Sequence, residues 1–201
     1  LKYDAATIGN HDFDNGIDGL YAQLPHANFP FLNANYDFEN SLLKDKIDTH
    51  KIFYKGKLKI GVFGIGIKLD GLVPEHLFKG VIHNEPISKA NKIAEKLKNE
   101  LKCDFIICLS HLGLKYNSSK VSDLILAEKS KNIDLILGGH THTFLEEPMI
   151  IKNLNKEDVI INQVGWAGIV LGRIDLFFQK KKGEKIEKNS TVILSKKTIV
   201  E

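Results

Sequence analysis

The stretch IGNHDFDNG, from Ile8 to Gly16, places Asn10, His11, Asp12 and Asp14 between two glycines directly after a short apolar run. Gly, Asn and Asp suit the backbone angles of a tight turn, so turn formation accounts for most of this composition. It does not account for the histidine. Working outward along the chain, the same arrangement recurs twice. DFIICL (104–109) is followed by Ser110 and His111, and IDLIL (133–137) is followed by Gly138, Gly139, His140, Thr141 and His142. Four histidines and an asparagine therefore stand just beyond the carboxyl ends of apolar strands.

In open α/β sheets that rim is where ligands bind, because neighbouring strands bring their following loops together. Imidazole is the commonest metal ligand, and an added amide oxygen suits a divalent ion such as zinc, manganese or iron. His140 and His142 are two residues apart, so on an extended backbone both rings leave the same face. Gly138 and Gly139 let the chain turn and approach a ligand closely. One His-x-His pair says little, whereas three such loops on three strand ends read as a metal site.

The rest of the chain supplies the scaffold. DAATI (4–8) and PFLNAN (30–35) read as strands, and 15–24 as a short helix. KIFYKGKLKIGVFGI (51–65) reads as a hairpin turning at Lys55 and Gly56, with the second arm the more apolar. Pro86 stands where a first helical turn begins, and Ile87, Ala90, Ile93, Ala94, Leu97 and Leu101 follow at helical spacing with Lys and Glu opposite. A second amphipathic helix is expected over 119–131. Two successive strand, loop, helix units with continuous apolar strands imply an α/β fold whose strands are buried on both faces. In the tail, VIINQV, IVLGRIDLFF and TVILS read as antiparallel strands joined by hairpins, one of them turning at KKKGEK with lysines protecting the edge.

The 201 residues suffice for one domain, and 43% hydrophobic with 26% charged residues describes a chain able to bury a substantial core. A net charge of +3, evenly spread, gives no reason to expect nucleic-acid binding, and no apolar run is long enough for membrane insertion. Cys103 and Cys108 flank an apolar strand five positions apart and so face opposite ways, which makes a mutual disulfide sterically awkward. Two buried thiols are expected.

YDAATIGNHDFDNG, FPFLNAN, KIGVFGI, SHLG, GGHTHTF and INQVGWAGIVLGRI, taken in that order, resemble the metallophosphatase domain of bacterial 5'-nucleotidases, within the calcineurin-like phosphoesterase superfamily. The resemblance runs to about Leu176. It implies a two-sheet α/β sandwich, incomplete at its amino-terminal end, with two divalent metal ions at the strand ends. By motif, Asn10, His111 and His140 would ligate one ion and His142 the other. His11 would contact the scissile phosphate and assist the leaving group, held by Asp14; a carboxylate on one ring nitrogen also fixes the tautomer. The resemblance further implies a nucleotide or other small phosphoester as substrate, a separate nucleotide-binding domain or subunit, and a periplasmic or secreted location.

Two family motifs, a Gly-Asp that bridges the ions and an Asp-x-His that completes the second site, lie upstream of the GNH loop in the family and are not found in this sequence. The expectation is therefore a fragment of a catalytic domain spanning 1–201, impaired by itself. The alternative is a non-catalytic module that binds one ion or phosphate, or docks with a partner subunit. A structural zinc site fits less well, because such sites are rich in thiolate and neither cysteine is near the histidines. Asp12 reads as a turn acid, and Asp14 competes as a helix cap. His26, His50, His76 and His83 read as surface histidines. Trp166 suits either the core or a site mouth, and Arg173 either a carboxylate or a phosphate.

Overall fold

Strand pairing follows the apolar runs. The computed structural model describes residues 2–179 and 187–189. Its strands are β1 (Ala6–Thr7), β2 (Phe31–Leu32), β3 (Tyr36–Asp37), β4 (His50–Lys55), β5 (Leu58–Ile65), β6 (Ile82–His83), β7 (Phe105–Ser110), β8 (Leu135–Leu137), β9 (Met149–Lys152), β10 (Asp158–Asn162), β11 (Phe177–Gln179) and β12 (Glu187–Asn189). The helices are α1 (Gly16–Gln23), α2 (Pro86–Glu95) and α3 (Asp123–Lys129). Six strands form one sheet in the order β4-β5-β7-β8-β10-β9. The four central strands run parallel, and β4 and β9 close the edges antiparallel. The fold is mixed α/β, with three two-stranded sheets beside the main one.

The alternation of side chains along β7 divides the core. Ile106 and Cys108 face Ala90, Ile93 and Ala94 of α2, Leu97 just beyond it, and Leu126 and Ala127 of α3, all buried. Phe105 faces the other way, with Leu135, Ile160 and the partly buried Ile174, Leu176 and Phe178. A third cluster of Ile8, Phe13, Leu20, Tyr36, Phe38, Leu43, Leu69 and Val73 lies under the Asn10–Phe13 turn. Phe13 is fully buried there, which by itself anchors the turn by about 1.5–3 kcal/mol.

Register brings the loops together. Ile65 aligns with Ser110, Leu109 with Leu137, and Leu137 with Asn162, so β5, β7, β8 and β10 end at one rim. The paired β1 and β2 lie against this rim because Gly64 carries no side chain. A Cβ there would fall 1.9 Å from the Leu32 carbonyl oxygen and 2.5 Å from Thr7 Oγ1.

The hairpin turns at Gly56 as expected, with Lys55 opposite Leu58. The helix from Pro86 is capped by the Glu85 carboxylate on the Ile87 and Ser88 amides, and it continues through a wider turn over Lys96–Glu100. Cys103 and Cys108 are both buried and free.

Several expectations change. The second helix begins at Asp123 rather than 119, because Ser122 caps it and the preceding residues form the connection from the sheet. In the tail, β10 pairs parallel with β8, and its antiparallel partner is β9, a strand that the apolar pattern alone did not reveal. Of IVLGRIDLFF only the end becomes a strand, β11, which pairs antiparallel with β12. KKKGEK and TVILS lie outside the described residues. His83 is not a surface residue: it sits in β6, its ring 5.9 Å from that of Tyr36, and burial lowers its pKa. Among the described residues no helix is long and apolar enough to cross a membrane.

Candidate metal centre

Asn10 opens a one-turn 3-10 helix, Asn10–Phe13, whose entry is tied by the Asp12 carboxylate accepting from the Gly9 amide at 2.7 Å. Asp12 is thus a turn acid. The turn carries buried Asn10 over the sheet rim, where two histidines meet its amide oxygen. His140 Nδ1 lies 2.9 Å and His111 Nε2 3.1 Å from Asn10 Oδ1, and the two rings stand 5.2 Å apart at 65°. Gly9 permits this approach, because a Cβ there would sit 2.5 Å from the His111 ring.

His142 stands beside this trio rather than in it. Its ring is stacked on Trp166, centroids 5.8 Å apart at 17°. Trp166 is 56% exposed, which places it at the mouth of the site and not in the core. His140 and His142 both have positive φ, 70° and 54°, so the backbone is not extended between them. Non-Gly residues in the left-handed region cost of order 1–3 kcal/mol and persist only where the surroundings impose them. Here Gln163, 1% exposed, supplies the restraint. Its Oε1 accepts from the Thr143 amide at 2.5 Å and the Thr141 hydroxyl at 3.0 Å, and its Nε2 donates to the Gly139 carbonyl at 2.5 Å.

His11 lies near the trio without bonding to it, with Nδ1 2.9 Å from Asp14 Oδ2 and both side chains exposed. Asp14 does not cap α1: the capping position is Asn15, and no side chain bonds the helix start. Arg173 pairs through Nε with Asp175 at 3.0 Å.

Burial governs the electrostatics. It lowers the His111 pKa to about 4, helped by the nearby His140, His11 and His142. The pKa of His140 also falls, through burial first and then Lys120. Both rings are therefore neutral at pH 7, the form in which imidazole offers a lone pair. Beneath them, burial raises the Asp123 carboxyl to about 7. Ser110 donates to Asp123 Oδ1 at 2.5 Å.

Ligand atoms each about 2.0–2.2 Å from one ion lie about 3 Å apart, which is the spacing of Asn10 Oδ1 from the two imidazole nitrogens. The donor set fits one divalent cation. Among the described residues no three His, Cys, Asp or Glu side chains gather; the third donor of the trio is an amide. The strand-end pattern anticipated Asn10, His111, His140 and His142 together, of which the first three meet and His142 stands beside them, while the pairing of His11 with Asp14 was what the family resemblance implied. The pattern missed Gln163, Asp123 and Ser110. Gln163 and Ser110 also stand at the ends of apolar strands, the same signal that marked the histidines.

Residues 1–144 match the model of the calcineurin-like phosphoesterase family. The chain belongs to that family. Among known phosphoesterases, it is 31% identical to the trifunctional nucleotide phosphoesterase YfkN of Bacillus subtilis, over 96% of this chain and 15% of that protein. It is 32% identical to a snake venom 5'-nucleotidase of Gloydius brevicauda, over 100% of this chain and 36% of that one. The crystal structure of a 5'-nucleotidase precursor from Thermus thermophilus superposes with a TM-score of 0.80 at 27% identity, covering 96% of this chain and 39% of that one. The chain therefore spans well under half the length of these relatives.

Proposed function

We propose that this chain is the metal-binding catalytic part of a phosphoester hydrolase acting on nucleotides, in the manner of the 5'-nucleotidases it resembles. One observation carries the reading: two neutral imidazoles from two loops converge on the amide oxygen of a third, each within hydrogen-bond distance of it. Beside them stands a histidine fixed by a carboxylate. The names of the relatives, nucleotide phosphoesterase and 5'-nucleotidase, support the substrate class.

In this reading Asn10, His111 and His140 hold one divalent ion, and His142 contributes to a second. Bound zinc, manganese or iron would supply Lewis acidity and an activated water for attack on phosphorus. The chain's own part is positional. Asn10 Oδ1 orients both rings, and burial keeps them unprotonated. Asp14 accepts from His11 Nδ1, and in the imidazolium form the Nε2–H would face the phosphoester and pass its proton to the departing alkoxide, leaving His11 neutral. A separate nucleotide-binding domain, for which the greater length of the relatives leaves room, would select the base.

The test is phosphate release from nucleoside monophosphates by the purified protein in manganese or zinc. His111→Ala and His11→Ala are each expected to lose most turnover. Wild-type turnover in either variant would overturn the assignment.

A further inference from the structure

Asp123 is the first residue of α3 and has no solvent exposure. A carboxylate in that position is costly to bury unless its oxygens are partnered. One is: the Ser110 hydroxyl donates to Oδ1 at 2.5 Å. The other, Oδ2, is buried without a hydrogen-bond partner. It lies against the backbone of Gly138, where a Cβ would come within 2.3 Å of it. Capping does not explain the residue, because the helix start is already served by Ser122, whose hydroxyl accepts from the Ile125 amide.

What Asp123 touches does suggest a purpose. Ser110 immediately precedes His111, and Gly138 begins the glycine pair that leads into His140. The Asp123 amide also donates to the Gly113 carbonyl at 2.8 Å, which closes the loop leaving His111 back onto the helix. The two histidine-bearing strand ends, from β7 and β8, are thus seated on a single buried carboxyl group.

We propose that Asp123 is a positioning residue for the metal centre, holding the His111 and His140 loops at the separation at which both rings reach Asn10. This rests on the metal-site reading above. Removing such an outer support costs metal affinity by roughly 10–100-fold without removing a ligand. Asp123→Asn keeps an acceptor for Ser110, so it should bind at least about tenfold more tightly than Asp123→Ala. Ser110→Ala should fall between them.

The experiment titrates manganese and zinc into wild type, Asp123→Ala, Asp123→Asn, Ser110→Ala and His111→Ala by competition with a chromophoric chelator. In parallel, the histidine ring resonances of the metal-free proteins are recorded by NMR. The expected result is the graded affinity order, with altered His111 and His140 resonances in Asp123→Ala and Ser110→Ala. Wild-type affinity together with unchanged ring resonances in Ser110→Ala overturns the proposal, even where Asp123→Ala does not fold. Equal affinity of wild type and His111→Ala would instead overturn the metal-site reading, while the ring resonances would still decide the role of Asp123.

Discussion

His140 Nδ1 lies 2.9 Å from Asn10 Oδ1 although 130 residues of chain separate them. Neither residue could reach the other from its own loop. The contact exists because the β1–β2 pair lies against β5 at Gly64, and because β7 and β8 run in parallel register to one rim. A short polar turn is thereby fixed over the end of an apolar sheet, and the site inherits the rigidity of that sheet.

Gly9 is the tightest point of this approach. Gly9→Ala would place a methyl group 2.5 Å from the His111 ring, and the ring must swing away from Asn10. Metal affinity and turnover are expected to fall roughly 10–100-fold, the range for disturbing ligand orientation. Circular dichroism should show the fold retained, and chelator competition measures the loss. Undiminished affinity would mean that His111 does not ligate in the position seen.

Gln163 holds the strained loop through three hydrogen bonds. Gln163→Ala would leave the Thr143 amide without its acceptor and the Gly139 carbonyl with only the Thr141 amide. An unsatisfied group of this kind costs about 1–3 kcal/mol where it is buried, and these are half-buried. The metal-free variant is expected to unfold at lower urea concentration, by roughly 1 kcal/mol, and to bind metal more weakly than wild type because His140 and His142 lose their imposed backbone. Equilibrium urea denaturation with matched slopes checks the first part.

The legible features of this chain were the local ones. The strand ends at Ile8, Leu109 and Leu137 and the helix from Pro86 follow from apolar runs, and they were enough to expect Asn10, His111, His140 and His142 at one rim, although His142 stands beside the other three. What the pattern could not supply was partner choice. VIINQV reads as a strand whether it joins a parallel neighbour or a hairpin, and only the packed sheet pairs it with β8. The backbone at His140 and His142 was likewise hidden, since alternation suggests extended chain and the left-handed angles are imposed from outside by Gln163. Asp123 falls inside the helix expected over 119–131, where the apolar pattern gives it no role, and its burial depends on β7 and β8 lying above it.

His11 bonds to Asp14 and is set apart from the trio around Asn10. His11→Ala is therefore expected to lower turnover by about 10²–10⁴-fold, the range for a positioned proton donor, with metal affinity held at the wild-type level. Asp14→Asn should lose less, because the ring stays in place while its tautomer is no longer fixed. Steady-state phosphate release and chelator competition on the same preparations separate the two effects. A His11 variant that loses metal as well as turnover would show that this ring serves the metal centre directly.

Opposing titrations shape the acid stability of the metal-free protein. His111 is lowered from 6.5 to about 4 in the folded chain. As pH falls between those values the unfolded chain takes up a proton that the native state refuses, so stability declines. His140, also lowered, acts in the same direction. Asp123 is raised from 3.8 to about 7. Over that window the native state holds a proton that the unfolded chain has released, so stability rises as pH falls and is lost again toward neutrality. In the wild type these trends oppose one another and leave a shallow profile. Asp123→Asn removes the second contribution and exposes the first: its stability is expected to fall steadily from about pH 6.5 to about pH 4, more steeply than that of the wild type. Urea denaturation in excess chelator, stepped across this range, reads both slopes. Parallel profiles for the two proteins would mean that Asp123 does not change its protonation on folding in the direction its burial dictates.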